Sequence, residues 1–87
     1  MKITVKYFLE YARLSGCRDE EFFFENDEVS VSEVFKDLNS KYKIKYKDVA
    51  NKGIILVNNR SITQLDMENT VLRDGDKLIL MPIISGG

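Results

Sequence analysis

The chain opens with strict alternation of apolar and polar side chains, a pattern typical of a β-strand that buries one face. Three apolar residues, Ile3, Val5 and Tyr7, share the face that we expect to be buried. The alternation is lost from Leu9 to Leu14, where the sequence favours a short helical turn that Ser15-Gly16 ends. The pattern therefore predicts a strand followed directly by a short helix.

The strongest local signal is a helix in the middle of the chain. Ser30 and Glu33 have the spacing of a capping box, in which each residue's side chain binds the other's backbone N–H. Apolar residues then recur at spacings of three and four, which places them on one helical face. They are Val31, Val34, Phe35, Leu38 and Tyr42. We predict a helix from about Val31 to Tyr42, with boundaries uncertain by two to four residues.

Strands are predicted on both sides of this helix. The run Phe22-Phe23-Phe24 favours an extended strand before it, because aromatic rings pack well on a pleated surface. After it, the segment from Lys43 to Lys52 is polar and is interpreted as irregular. Gly53 opens a third strand that ends at Val57, and Asn58-Asn59 favours a tight turn because asparagine tolerates positive φ.

The sequence pattern in the last part of the chain predicts two more strands, followed by a C-terminal tail outside the sheet. Arg60 to Ile62 is a short returning strand, and the turn at Asp74-Gly75-Asp76 leads into a strand from Lys77 to Met81. Pro82 cannot donate a backbone hydrogen bond, so we expect the chain to leave the sheet there. The residues beyond Pro82 have no side-chain pattern that would anchor them.

This order of elements predicts an α+β fold in which one main helix packs on a mixed sheet of about five strands. The β-grasp, or ubiquitin-like, arrangement is the most economical of this kind. We expect a β-grasp domain over residues 1-82 and a flexible C-terminal diglycine tail over residues 83-87.

Composition excludes several classes of function. Acidic and basic residues nearly balance, at 14 and 13, which argues against a nucleic-acid partner, since that requires a clustered basic face. The chain has no histidine and one cysteine, so we expect no metal site and no cofactor. No apolar stretch reaches membrane-spanning length, and the alternating N-terminus is unlike a signal peptide. A cytoplasmic protein without a membrane partner is the expectation.

The residues from Val71 to Gly87 resemble the C-terminus of the MoaD family, the small subunits of molybdopterin synthase. The shared pattern is an Asp-Gly-Asp turn, an apolar strand, a proline and a terminal Gly-Gly. Tyr7-Phe8 and the stretch from Ala12 to Gly16 are similar to that family's first strand and short helix, and Val57-Asn58 is similar to its central hairpin. The short helix favours this branch of the MoaD/ThiS superfamily over the more compact ThiS carriers. Ile83 departs from the pattern, since many relatives have a second proline there.

The resemblance implies a sulfur carrier, an accessory to an enzyme and not itself one. It implies that the carboxylate of Gly87 is adenylated by a MoeB-like E1 enzyme and becomes a thiocarboxylate, while Gly86 and Ser85 line the enzyme's channel. The sulfur is then donated inside a MoaE-like large subunit of molybdopterin synthase. Glycines suit such a channel because they lack Cβ. The residues from Pro82 to Gly87 reach about 20 Å when fully extended.

The strand pattern also predicts an apolar surface away from the helix. If each strand buries one face, several apolar residues lie on the other face and form a patch that we interpret as a partner interface. They are Phe8, Ile54, Leu56, Ile79 and Met81, with Pro82 beside them. The alternative is that the loop from Asn59 to Arg73 folds over part of this patch.

Other functions are compatible with the same tail. A ubiquitin-like modifier would join Gly87 to lysines of target proteins, and related carriers serve tRNA thiolation or thiazole synthesis. A pure interaction domain with an inert tail is a third class, since flexible chain ends also favour glycine. Cys17 is the alternative sulfur site, but it has only one neighbouring cation in sequence, Arg18, and no histidine to activate it.

Overall fold

The computed structural model describes residues 1–83 and contains a five-stranded mixed sheet with its main helix on one side. The strands of this sheet lie in the order β2-β1-β7-β4-β5. Their bounds are β1 Lys2–Tyr7, β2 Asp19–Phe23, β4 Gly53–Val57, β5 Arg60–Ser61 and β7 Lys77–Pro82. Strand β7 is central: it pairs parallel with β1 and antiparallel with β4. The predicted β-grasp fold is confirmed.

The helices are α1 Glu10–Ser15, α2 Val31–Tyr42 and α3 Tyr46–Lys52, and two 3-10 turns cover Ile62–Gln64 and Met67–Asn69. Helix α2 has the predicted bounds, and both hydrogen bonds of its capping box form between Ser30 and Glu33. Helix α1 confirms the predicted turn. The residue that caps its C-terminal end is Gly16, whose positive φ of 78° suits a residue without Cβ.

Two features differ from the sequence-based expectation. The segment predicted to be irregular contains α3, which buries Val49 although its first residue lacks a side-chain cap. A second ribbon, of β3 Glu28–Ser30 and β6 Val71–Arg73, was not predicted. Each of its strands has three residues and buries a single side chain, Val29 or Leu72, so neither shows a readable alternation.

The core lies between the sheet and α2. From β1, Ile3, Val5 and Tyr7 are buried as predicted, and Leu78 and Leu80 of β7 join them. The four apolar residues of the first three turns of α2 close the core from the other side: Val31, Val34, Phe35 and Leu38. The predicted inward faces are therefore confirmed.

A polar cluster ties strand β2 to the C-terminal end of α2. The hydroxyls of Tyr7 and Tyr42 donate hydrogen bonds to Oε1 of Glu20, at 3.1 and 2.5 Å, and the Lys41 ammonium donates to Oε2. Burial acts to raise the pKa of Glu20, but the hydrogen bonds from Lys41, Tyr42 and Tyr7 outweigh it, so this pKa is lowered. The same burial, together with the Glu20 charge, raises the pKa of Tyr7.

We expect Glu20→Gln to lower the free energy of unfolding at pH 7 by roughly 1–2 kcal/mol, because the amide loses charge-assisted hydrogen bonds. A lowered carboxyl pKa stabilises the fold above the unfolded pKa of about 4.5 and ceases to do so as pH falls through the folded value. Urea denaturation from pH 7 to pH 3 should therefore show the gap between variant and wild type closing below about pH 4.5. Glu25→Gln, at an exposed position outside the cluster, is the control. A gap that stays constant with pH would contradict this account.

Candidate functional site

The chain reaches its last described residues at one end of the sheet. Because β1 and β7 are parallel and β4 is antiparallel to them, the ends of β1 and β7 and the start of β4 meet there. Pro82 is the last residue of β7 and lies opposite Gly53. The Ile83 N–H then donates to the Lys52 carbonyl at 3.2 Å, so backbone pairing continues one residue beyond the proline, and the expectation that the chain leaves the sheet at Pro82 is wrong. Ser85, Gly86 and Gly87, the predicted tail residues, lie outside the described residues.

A glycine is required at Gly53 because the chain is closely packed where β7 ends. A Cβ on Gly53 would lie 2.5 Å from the Met81 carbonyl oxygen and 2.8 Å from the Tyr11 hydroxyl. Its φ of −144° is an ordinary extended value, so the need for glycine is steric and not conformational. Burial raises the pKa of Tyr11, with a further contribution from Glu10. The first helix thus supports the end of β7 through a contact that only glycine permits.

The face of the sheet opposite α2 carries an apolar patch at this same end. Across the ladder Leu56 lies beside Ile79, and Ile54 lies beside Met81. Phe8, just past β1, is 44% exposed, and its N–H donates to the Leu80 carbonyl, which places it next to this pair. The structure therefore brings together all five residues that the sequence placed in one patch, with Pro82 beside them. Their role as an interface stays a prediction.

The alternative, that the loop from Asn59 to Arg73 folds over part of this patch, applies at Ile54, which lines a groove with Ser61, Thr63 and Met67 of that loop and is still 38% exposed. Ile62 at its start is buried in the core that α2 shares. The 3-10 turn Met67–Asn69 contacts α2, so this part of the loop packs towards the helix. Lys6 lies beside Ile79, and the ion pair between Lys2 and Glu21 lies farther along β1. The patch therefore ends in charged residues on the side of β1 that is farthest from the end of β7.

Leu9 follows Phe8 in a tight turn and was not singled out by the sequence. The Tyr11 N–H donates to the Phe8 carbonyl at 3.1 Å, closing a four-residue turn. Leu9 is the first central residue, with φ 53° and ψ −117°, values of a type II′ turn in which glycine dominates. Such a conformation costs a residue with a side chain roughly 1–3 kcal/mol. The side chain is 61% exposed. The sequence signal that could have identified Leu9 is the pair of consecutive apolar residues, Phe8 and Leu9, directly after a strand.

Cys17 is half-buried and packs against the core. Its thiol lies 3.7 Å from the Ser15 hydroxyl, and that hydroxyl donates to the Cys17 carbonyl at 3.0 Å. Among residues 1–83, no group of three or more histidine, cysteine, aspartate or glutamate residues is arranged to hold a metal ion. Within the same range, no helix combines the length and apolar character needed to span a membrane.

A mixed sheet with a parallel pair at its centre and one main helix packed on it define a ubiquitin-like β-grasp protein. The model of the ThiS family matches residues 5–87, and the chain belongs to this family, which groups it with the ubiquitin-like sulfur carriers. The predicted membership of the MoaD/ThiS superfamily is thereby confirmed.

Solved structures of several different proteins have a similar fold. The small archaeal modifier protein 1 of Methanosarcina acetivorans is similar at a TM-score of 0.81 and 23% identity, over 99% of this chain and 96% of that one. A complex of subunits 1 and 2 of the molybdopterin-converting factor of Helicobacter pylori contains a chain at a TM-score of 0.62 and 26% identity, with full coverage of both. The BexX/CysO complex of Amycolatopsis orientalis matches at 0.74 and 18%, over 98% of this chain and 99% of that one.

We expect Gly53→Ala to lower the free energy of unfolding by about 1–3 kcal/mol, because the added methyl group must displace the Met81 carbonyl or the Tyr11 hydroxyl. Chemical denaturation compares the variant with wild type. Lys52→Ala is the matched control, since it changes the neighbouring exposed side chain and keeps the backbone bond to Ile83. Equal stability of Gly53→Ala and wild type would show that the exit point tolerates a Cβ.

Proposed function

We propose that this protein is a sulfur carrier in the cytoplasm that acts as the small subunit of molybdopterin synthase. In this proposal an E1-like enzyme adenylates the Gly87 carboxylate: a carboxylate oxygen attacks the α-phosphorus of ATP, and pyrophosphate leaves. A hydrosulfide ion then attacks the carbonyl carbon, AMP leaves, and the product is a C-terminal thiocarboxylate. Within the large subunit the thiocarboxylate sulfur bonds to a carbon of the pterin precursor. Water then cleaves the bond between the Gly87 carbonyl carbon and the sulfur, which leaves the sulfur on the pterin and restores the carboxylate. No side chain of the carrier takes part in these steps.

The observation that carries the proposal is the position of Ile83, the last described residue. Strand β7 is held by hydrogen bonds on both sides, so the residues that follow Ile83 start from a fixed point at the rim of the sheet. Membership of the ThiS family supports a carrier function for that end. The match at 26% identity to a chain of the molybdopterin-converting factor complex supports the molybdopterin branch.

A second candidate function is a ubiquitin-like modifier. The similarity in fold to the small archaeal modifier protein favours it, and the chemistry up to the adenylate is the same. Carriers for tRNA thiolation or thiazole synthesis remain alternatives within the first class. The intact mass of protein purified from its own cells separates the classes. One oxygen-to-sulfur exchange at the C-terminus supports a carrier, isopeptide-linked adducts support a modifier, and an unmodified chain under sulfur-replete conditions contradicts both.

We expect deletion of Gly87 to abolish adenylation while the melting temperature stays unchanged, because the reacting carboxylate moves back by one residue. Gly86→Val should also fail, because a β-branched side chain cannot pass through a channel that fits bare backbone. ATP–pyrophosphate exchange with the activating enzyme measures both variants. Cys17→Ser is the control and should be loaded with sulfur like wild type. Unchanged exchange after the deletion, or loss of loading in Cys17→Ser, would contradict the mechanism.

We also propose that the apolar patch docks the large subunit of molybdopterin synthase beside the channel that receives the tail. Phe8→Lys or Met81→Lys should weaken binding by about 2 kcal/mol, the effect of a central anchor residue. The melting temperature should change little, because both side chains lie outside the core. Calorimetric titration against the purified large subunit measures the affinity.

Phe23→Lys is the matched control for this prediction. Phe23 is 73% exposed on the same face of the sheet, but it lies beside Lys2 at the far end of β1. The variant should bind like wild type. If it weakened binding as much as Phe8→Lys, or if both patch variants bound normally, the interface would lie elsewhere.

A further inference from the structure

We propose that the outer edge of strand β2 binds an extended segment of a second protein, one that carries lysine or arginine at alternate positions. This edge lies two strands away from β7, at the border of the sheet. It is separate from the apolar patch and from the tail, so the inference goes beyond the proposed function.

The backbone of β2 has hydrogen-bonding groups that point away from the sheet. Strand β2 pairs with β1 on one side, and within residues 1–83 no strand pairs with its other side. In an antiparallel pair, residues bonded to the partner strand alternate with residues whose N–H and C=O groups point outward. The Phe24 N–H donates to the Met1 carbonyl at 2.9 Å, so the even-numbered positions bond to β1. The backbone groups of Asp19, Glu21 and Phe23 therefore point outward, with the spacing that an added strand requires.

An open groove beside this edge gives an added strand room on the helical side of the sheet. It is lined by Glu21, Phe22 and Phe23 of β2 and by Asp37, Ser40 and Lys41 of α2. The Lys41 ammonium is paired with Glu20 and lies 5.2 Å from the centroid of the Phe22 ring, so its charge is already compensated. The groove therefore suits a small apolar side chain of the added strand.

The charges on the other face of this edge select the kind of segment. Phe22 is buried beneath α2, so Asp19, Glu21 and Phe23 lie on the opposite face, where all three are exposed. Lys2 forms an ion pair with Glu21 at 2.9 Å, but both side chains are about half exposed, which leaves the carboxylate accessible to a second cation. Opposite charges directly across from one another stabilise paired strands. An added strand therefore fits when it places cations beside the two carboxylates and an apolar side chain beside the phenylalanine.

The same charges disfavour a second copy of this chain as the occupant. Two copies related by a two-fold axis would pair their β2 strands antiparallel. Glu21 is the middle residue of the five in β2, so it would lie opposite its own counterpart. Like charges directly opposite destabilise a strand pair, and charged side chains on edge strands prevent such pairing in many proteins. The edge is therefore protected against self-association and remains available to a cationic strand.

The test is a titration of the full-length, isotope-labelled chain with a blocked peptide, Leu-Val-Lys-Val-Lys, followed by amide chemical shifts. In antiparallel pairing the leucine lies beside Phe23, the lysines lie beside Glu21 and Asp19, and the valines face α2. Shifts should change for β2 and for the α2 residues that line the groove, while those at the end of β7 stay constant. A peptide with glutamate in place of both lysines should not bind, because it would place like charges opposite one another.

N-methylation of the peptide separates strand addition from charge attraction alone. The N–H of the first lysine points towards Glu21 in this pairing, so its methylation should weaken binding about tenfold. The N–H of the second valine points away from β2, and its methylation should weaken binding at most about threefold. Equal effects of the two methyl groups would overturn the inference.

Glu21→Lys should weaken binding of the unmodified peptide about tenfold, because it places like charges opposite one another. Glu25→Lys is the matched control: it changes the net charge equally, at an exposed position past the end of β2, and should bind like wild type. Equal weakening by both variants would indicate diffuse attraction to the acidic segment and would overturn the inference.

Two further outcomes would overturn it: no shift in β2 at millimolar peptide, or a chain that sediments as a dimer paired through β2. None of these measurements uses the activating enzyme or the tail, so their result is independent of the proposed function.

Discussion

The pairing of strand β7 with β1 on one side and β4 on the other is the constraint on which the rest of the structure depends. It fixes which side chains of three neighbouring strands lie in register, so Leu78 and Leu80 meet the buried residues of β1 and β4 beneath α2. The same register places Ile79 and Met81 on the opposite face. One set of hydrogen bonds therefore creates both the core and the exposed apolar patch.

This arrangement explains why the fold can support a function without catalytic side chains. A small domain with helices on one side of its sheet has enough apolar surface for one core, and the second face of the sheet stays available for contact. The tail leaves from the strand that is held on both edges, next to that face. In the proposed function, a partner docked on the patch would therefore meet the chain at a fixed point, the end of β7.

Two features near the end of β7 reduce the stability of the fold locally. Gly53 leaves room for the Tyr11 hydroxyl and the Met81 carbonyl, which brings α1 against the end of β7. The turn that starts α1 places a leucine where glycine would be relaxed. The Glu20 cluster at the other edge of the sheet is different, since its hydrogen bonds tie β2 to α2 and take no part in the proposed chemistry.

The sequence by itself determined the elements whose signals are local. The capping box and apolar stripe specify α2, and period-two alternation specifies which faces of β1, β4 and β7 are buried, because side chains alternate strictly along a strand. The terminal pattern indicated the family. Tertiary structure alone decided α3 and the ribbon of β3 and β6, since these short segments bury one side chain each and are stabilised by packing against the rest of the chain. It also decided the steric role of Gly53, because that role depends on the Tyr11 hydroxyl and the Met81 carbonyl, which are distant in sequence and meet only where β7 ends.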